Sequence, residues 1–425
     1  MPVNDLHRHI TGTAPNGSRR RHKAGPLALL VLTLLSTLVT GCWDRLEIEE
    51  RAMILGIAID KAPDNKIEQS KNLTYFGDPP VTKSPPLQVT LQLAVPGRIP
   101  LGPSESGGGS GPGQKPVWIH SATGLTIDDA FNTIQQEVPH KLFWGHVRVI
   151  AISKEVAETG LTNINEYLRR NPDVRRTTWM IVTEGDAGAY MRITPQLERV
   201  PILYLLSTMD HAVQMGKLPN AFAGVFWSAA SSKGTDPFLV YTRLVKDNSV
   251  QIAGLALFRS DRLVETTEPL DIGVFMGIRN LQEGGYSTLA TIPGSNTAIM
   301  YQVTHRKARI DVAIVGDKPE IHVKIHNEGN LKEKSNEEVQ LSPEVISEIE
   351  KNMSKYTPDY YKKLIRKTQQ KGADIFGFGE YVRAKQPSYW NKEIGTKDKW
   401  EELYKHIKVE VQVTNSIRRV GGKIT

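Results

Sequence analysis

The residue best suited to covalent chemistry is Cys42, the only cysteine in a chain of 425 residues. It follows Val39, Thr40 and Gly41, so a nucleophilic thiol stands directly after small residues. A thiol at such a position can form a thioether with a lipid, and the small residues before it suit cleavage by a signal peptidase. Because there is no second cysteine, an internal disulfide framework and a four-cysteine metal site are both excluded.

The segment before Cys42 predicts an exported chain. A basic cluster between Arg19 and Lys23 precedes the apolar run Leu27–Val39. That run is too short to span a bilayer, which takes about 20 residues of helix. Residues 1–41 are therefore interpreted as a lipoprotein signal peptide that ends in a lipobox, with Cys42 as the lipidation site that receives a diacylglycerol. The alternative is an ordinary secreted protein with an incidental cysteine.

The positive charge of the chain is concentrated in this leader. The whole sequence has a formal charge of +7, but residues 1–41 contain five Lys or Arg and one Asp. Little excess charge is left on the 384 residues that follow, so nucleic acid is not expected as a partner. With 39% apolar and 23% charged residues, the composition is that of a folded globular protein.

The first part of the mature chain alternates predicted strands and helices, which indicates an N-terminal α+β domain over residues 42–198. Met53–Ile59 has the pattern of a buried strand, and the alternation from Leu87 to Val95 predicts a half-buried antiparallel strand. Thr126 is expected to cap a helix that Pro139 ends. The Gly-, Ser- and Pro-rich residues 102–116 predict a flexible loop.

A small middle domain is expected over residues 199–295 and a third domain over residues 296–425. The middle domain should contain a helix at about Glu198–Gln214, polar loops at Asn220–Gly224 and Ser231–Pro237, and a strand at Ile252–Phe258.

The third domain has clearer signals. Alternating apolar residues on both sides of Gly316-Asp317-Lys318-Pro319 predict a hairpin. A long amphipathic helix should begin after Ser342, kink or restart at Thr357-Pro358 and end at Gly372, and Val409–Val413 should form a closing strand. The predicted fold is thus a three-domain α+β lipoprotein, with mixed sheets, packed helices and a C-terminal hairpin plus long helix.

Tests for catalytic and metal chemistry point away from an enzyme. A phosphate-binding turn needs a strand before its glycines and a helix immediately after them, and the Gly-rich loop lacks this arrangement. His140 and His146 have no carboxylate at ligand spacing, and His322 and His326 would lie about 13 Å apart along a strand. No nucleophile motif is present, so we expect no catalytic residues, no metal and no cofactor other than the lipid on Cys42.

Several strings resemble one known family. Gly41-Cys42-Trp43-Asp44-Arg45-Leu46-Glu47-Ile48, followed by Leu55–Asp60, is similar to the mature start of the Ger(x)C spore germination lipoproteins. The similarity continues through Gly145-His146 and Ile252–Phe258. It is most specific in Asp374-Ile375-Phe376-Gly377-Phe378-Gly379, followed by Pro387, Trp390 and Trp400. The long leader and the loop at 102–116 depart from the family pattern.

The resemblance implies a C subunit of a nutrient germinant receptor in Gram-positive endospore formers. Such a subunit is a palmitate-bearing, non-enzymatic lipoprotein on the outer face of the spore inner membrane, and it acts with two integral-membrane subunits. Only Cys42 carries over as a functional residue, since a tight turn packed by Phe376 and Phe378 explains the Asp374–Gly379 string better than a binding site does. The alternative function is a free-standing solute-binding lipoprotein for nutrient uptake.

Overall fold

A nine-stranded sheet forms the larger part of the fold. The computed structural model describes residues 50–63, 74, 85–96, 115–245, 249–281 and 284–420. The strands run in the order β3-β2-β1-β5-β6-β7-β8-β9, with β4 also paired to β1. Their bounds are β1 Arg51–Lys61, β2 Leu87–Ala94, β3 Val117–Gly124, β4 Lys141–Phe143, β5 Val149–Ser153, β6 Trp179–Thr183, β7 Phe238–Val245, β8 Ser249–Arg259 and β9 Arg262–Thr266.

The centre of this sheet is parallel and its flanks are antiparallel. β1 pairs in parallel with β4 and β5, β5 with β6, and β6 with β7. β2 and β3 continue one side antiparallel, and β8 and β9 the other. Every residue of β5 and β6 is buried, as expected for central parallel strands covered on both faces.

Helices flank the strands of this sheet. Their bounds are α1 Ile127–Glu137, α2 Lys154–Thr159, α3 Thr162–Arg170, α4 Ala187–Tyr190, α5 Pro201–Gln214, α6 Ala223–Ser231 and α7 Pro269–Ile278. The predicted cap of α1 is confirmed, because the Thr126 hydroxyl accepts a hydrogen bond from the Asp129 amide at 3.1 Å. Its apolar stripe, which includes Phe131 and Ile134, is buried.

The prediction that β2 is half-buried is wrong. Thr90 and Gln92, placed on the solvent side by their polarity, are both fully buried. Gln92 satisfies its amide inside the protein, since its Nε2 donates to the Met191 carbonyl at 3.0 Å and its Oε1 accepts from the Ile202 amide at 3.3 Å. α4 and α5 therefore cover the face of β2 that the alternating pattern predicted to be exposed to solvent.

The two polar loops predicted at Asn220–Gly224 and Ser231–Pro237 are separated by a helix that the sequence did not predict, and the helix overlaps them at Ala223, Gly224 and Ser231. α6 occupies residues 223–231, and Phe226 and Trp227 are buried on it. No side chain caps its start and its residues are mostly small, which left no amphipathic signal in the sequence. The turn from 232 to 237 leads directly into β7.

A second, four-stranded sheet has the order β10-β11-β12-β13. Its strands are β10 Ser287–Thr291, β11 Ala298–Val315, β12 Lys318–Lys334 and β13 Lys408–Val420. β11 and β12 form the predicted hairpin, which is longer than its alternating core indicated. The predicted closing strand is confirmed as β13, which pairs in parallel with β12.

The long helix predicted after Ser342 is confirmed as α8, Pro343–Lys371. The Ser342 hydroxyl caps it by accepting from the Val345 amide, and Gly372 ends it in the left-handed conformation (φ 66°). α8 continues through Pro358 without restarting. The chain then forms α9 Phe378–Lys385, α10 Pro387–Tyr389, a π-helical turn Trp390–Ile394 and α11 Lys397–Tyr404.

One hydrophobic cluster extends across both sheets. It contains Val149 and Ile181 of the large sheet, Ile321 and Val323 of the small sheet, and Leu364 of α8. Residues Glu49–Thr425 form one compact unit. The pairing of β6 with β7 crosses the predicted boundary at residue 198, while the division into three domains stays a prediction. Within the described ranges, no helix is both long and apolar enough to cross a membrane.

Candidate functional site

Cys42, the one functional residue predicted from the sequence, lies outside the described residues, as do residues 102–114 of the predicted loop. Lipidation of Cys42 therefore stays a prediction. Among the described residues, the Asp374–Gly379 string, which carries the most specific part of the family resemblance, lies in a buried polar cluster.

Asp374 is fully buried, and its carboxylate organises the turn that leads into α9. Its Oδ1 accepts from the Gly377 amide at 2.9 Å, and its Oδ2 accepts from the Gly379 amide at 2.8 Å. Oδ2 also accepts from the Trp400 indole nitrogen at 3.0 Å. One carboxylate thus fixes both glycines of the turn and the indole of α11.

Asp236, just before β7, connects this turn to the large sheet. Its Oδ2 accepts from the Asp374 amide at 2.9 Å, and its own amide donates to the Asp374 carbonyl at 2.8 Å. Its Oδ1 accepts from the Ser260 amide at 2.9 Å and lies 3.0 Å from the Lys397 ammonium. The sequence predicts no role for Asp236, because no motif around it indicates hydrogen-bond partners so far along the chain.

Glu401 completes the group from α11. It is buried, its Oε2 lies 2.7 Å from Arg259 Nε, and its Oε1 accepts from the Ser260 hydroxyl at 2.8 Å. We call Asp236, Asp374, Lys397, Trp400 and Glu401 the acidic clasp. The clasp joins the β7 and β8 ends of the large sheet to the last helices of the chain.

Two glycines are required at the clasp by close packing. A β-carbon at Gly379 would lie 2.5 Å from Trp400 Nε1, and one at Gly234 would lie 2.4 Å from the Gly379 carbonyl carbon. Both distances are shorter than the contacts that β-carbons make in proteins, so a larger residue at either position would force the neighbouring atoms to move. The predicted turn packing is confirmed here, with Phe376 and Phe378 both fully buried.

The clasp carboxylates are unlike ordinary surface acids but have no access to a substrate. Burial raises the pKa of Asp374 to about 7, and burial raises the pKa of Asp236 to about 6 against the lowering effect of Lys397. A raised carboxyl pKa is typical of general acids. In both residues, however, each carboxylate oxygen already accepts a hydrogen bond from within the protein, and neither side chain reaches solvent. The arrangement therefore indicates a structural role.

The four histidines considered as ligands do not converge. His322 and His326 lie on β12, where His322 Nδ1 is 3.1 Å from Glu410 and His326 Nδ1 is 2.8 Å from the Thr414 hydroxyl. His146 is exposed and lies edge-on to Phe143, and His140 is also exposed. Among the described residues no group of three or more His, Cys, Asp or Glu side chains could hold a metal ion.

An aromatic cavity of about 170 Å³ lies between α7, the hairpin and α8. Five tyrosines line it together with Arg306, Asn327 and Asn415. Arg306 is buried, and its guanidinium donates to the Gly273 and Leu281 carbonyls at 3.2 and 2.8 Å. These bonds join the hairpin to α7 and to the segment that follows it, so Arg306 forms a second polar joint, between the small sheet and α7.

The architecture is shared with a protein of known structure. The chain is similar to the crystal structure of the GerBC protein, with a TM-score of 0.52 and 16% identity, covering 79% of this chain and 94% of that one. This likeness establishes the class of fold, a mixed α+β protein with two sheets.

The family follows from the sequence matches. The family described as "Spore germination protein N-terminal domain" matches residues 44–244, and that described as "Spore germination B3/GerAC like, C-terminal" matches residues 253–421. The chain belongs to this Ger(x)C family of spore germination proteins.

Curated relatives match over most of their length. The putative spore germination protein YfkR of Bacillus subtilis is 25% identical, over 91% of this chain and 95% of the relative. Spore germination protein KC of the same organism is 24% identical, over 92% and 95%. Spore germination protein GerQC of Bacillus cereus is 26% identical, over 73% and 85%.

Proposed function

We propose that the chain is a lipid-anchored, non-enzymatic subunit of a nutrient germinant receptor. In this proposal it assembles with two integral-membrane subunits on the outer face of the spore inner membrane. The observation that carries the proposal is the pair of family matches, which together extend over residues 44–244 and 253–421. They begin two residues after the cysteine of the predicted lipobox.

The geometry of the described residues supports a role in assembly. Asp236 and Asp374, two buried carboxyls whose pKa is raised, hold secondary-structure elements together. The compact unit Glu49–Thr425 also differs from two lobes about a cleft, the arrangement expected of a solute-binding lipoprotein. The first observation favours a non-enzymatic role, and the second favours an interaction protein over the alternative function.

Deletion of the gene tests the receptor role. Spores without the protein should fail to germinate with one nutrient, or one class of nutrient, in a screen of single compounds, and should respond normally to the others. The two membrane subunits should co-purify with the protein from spore membranes. Normal germination with every nutrient, together with no co-purifying membrane protein, would contradict the proposal.

Substitution of Cys42 tests the anchor. Cys42→Ala should abolish incorporation of a labelled fatty acid and release the protein from the membrane fraction, because two acyl chains are needed for stable attachment. Ser36→Ala, a change within the apolar run, is the matched control and should be lipidated normally. If Cys42→Ala protein still carries the label, the lipidation site is elsewhere.

A further inference from the structure

The parallel part of the large sheet places the amino ends of four strands at one edge. β1, β4, β5 and β6 run in the same direction, so the residues that open or precede them lie side by side. Those residues are cationic in these four strands, whereas the fifth parallel strand, β7, is preceded by the buried Asp236, which is paired with Lys397. Arg51 opens β1, Lys141 opens β4, Arg148 precedes β5, and Arg175 and Arg176 precede β6. We call these five residues the amino edge.

Contacts connect one part of the amino edge, from Arg51 and Lys141 to His146. Arg51 pairs with Lys141 in the sheet register, and its guanidinium lies 4.7 Å from the centroid of the Phe143 ring. The Phe143 ring is in turn 5.7 Å from the ring of His146. Burial lowers the pKa of His146, and the charges of Arg175 and Arg148 lower it further. The charges of Arg148 and Arg175 therefore both act at His146, the residue that Phe143 connects to Arg51.

The charge of the amino edge is available to an external partner. Lys141, Arg148, Arg175 and Arg176 are exposed and Arg51 is half-buried. None of the five is in an ion pair with a described carboxylate. Exposed acids near them in sequence are Glu50, Glu137 and Asp173, and Glu380, which is paired with Arg383, lines a cavity with Arg176. An excess of cations therefore remains at the edge.

We propose that the amino edge lies against the anionic headgroups of the membrane. The inference rests on the proposed lipid anchor, because Cys42 lies nine residues before Arg51 and a chain of that length spans at most about 32 Å. The anchored chain thus enters the compact unit at the basic edge. Each Lys or Arg near an anionic surface strengthens binding about fivefold.

A vesicle flotation assay tests the inference without the anchor. The protein used is the chain from residue 43 onward, which contains the whole compact unit Glu49–Thr425 and lacks the thiol. It should bind vesicles of phosphatidylglycerol and phosphatidylcholine, should not bind phosphatidylcholine alone, and should dissociate as salt is raised. The triple variant Lys141→Gln, Arg148→Gln, Arg175→Gln should bind about 100-fold more weakly.

The matched control is the triple variant Lys307→Gln, Lys324→Gln, Lys332→Gln. It removes the same charge from exposed positions of the second sheet, and it should bind as the unaltered protein does. Equal binding to both kinds of vesicle, or equal loss in the two triple variants, would overturn the inference. So would an amino-edge variant that binds lipid normally and loses only its membrane-protein partners. Because the assay contains no Cys42, none of these results depends on whether the protein is lipidated.

Discussion

At the scale of single residues, Trp400 illustrates how one side chain connects distant parts of the chain. Its ring is fully buried and lies 5.8 Å from that of Trp390 and 6.1 Å from that of Tyr404, measured between centroids. Its indole nitrogen donates to Asp374 at 3.0 Å. The ring therefore supplies packing volume and satisfies one of the buried carboxylates.

Trp400→Ala should lower the free energy of unfolding by about 3–5 kcal/mol, because it leaves a cavity the size of the ring and removes a donor from Asp374. Chemical denaturation measures the loss. Trp118, on β3, is the matched control, since 41% of its surface is exposed. Trp118→Ala should change stability by only about 0.5 kcal/mol. Equal losses in the two variants would show that burial of Trp400 contributes nothing.

Residues with local signals could be predicted, and those with distant partners could not. Thr126, Ser342 and Gly372 act through hydrogen bonds to neighbours within a few positions, so their roles as helix caps are visible in the sequence. Asp236 receives its hydrogen bond from Asp374, 138 positions later. No periodicity or spacing indicates such a pair.

At the scale of elements, β2 shows the same limit. An alternating strand normally has one wet face, and that rule predicted Gln88, Thr90 and Gln92 at the surface. In the structure Gln92 is buried beneath α4 and α5. Its Nε2 donates a hydrogen bond to the Met191 carbonyl, and its Oε1 accepts one from the Ile202 amide. Whether a second layer covers a sheet is decided by the tertiary fold, so a strand's own pattern cannot reveal it.

Gln92→Leu should destabilise the protein by about 1–3 kcal/mol, since the Met191 carbonyl and the Ile202 amide would be left buried without partners. Gln88→Leu on the same strand is the control. It is half-buried, and the same substitution there should have a much smaller effect on the denaturation midpoint. If Gln92→Leu is as stable as the unaltered protein, those two backbone groups have other partners.

At the scale of the whole molecule, the two sheets share one core, the acidic clasp ties the large sheet to α11, and Arg306 ties the small sheet to α7. Cooperative unfolding is expected when parts of a protein share buried side chains. The family matches divide the chain near residue 250, between β7 and β8, although these strands are paired along their length. The matched segments are therefore not expected to unfold separately.

Fluorine-labelled tryptophan can test this expectation. The resonances of Trp179 in the large sheet and Trp400 in α11, assigned with Trp179→Phe and Trp400→Phe, should lose their native signals at the same denaturant concentration. Coincident loss is the result for one cooperative unit. Two well-separated midpoints would instead favour independent unfolding of the predicted N-terminal and C-terminal domains.

The parallel pairing of β12 with β13 has a consequence for biogenesis. Glu320 is opposite Lys408 in the register, so β12 keeps an open edge until β13 has been synthesised and has paired with it. An open edge of that kind can pair with foreign strands and attracts proteolysis. A premature stop codon shortly before residue 408 is therefore expected to be as damaging as a core substitution, even though it leaves the large sheet and the clasp residues intact. Folding of the small sheet therefore depends on β13 as much as on the hairpin that precedes it.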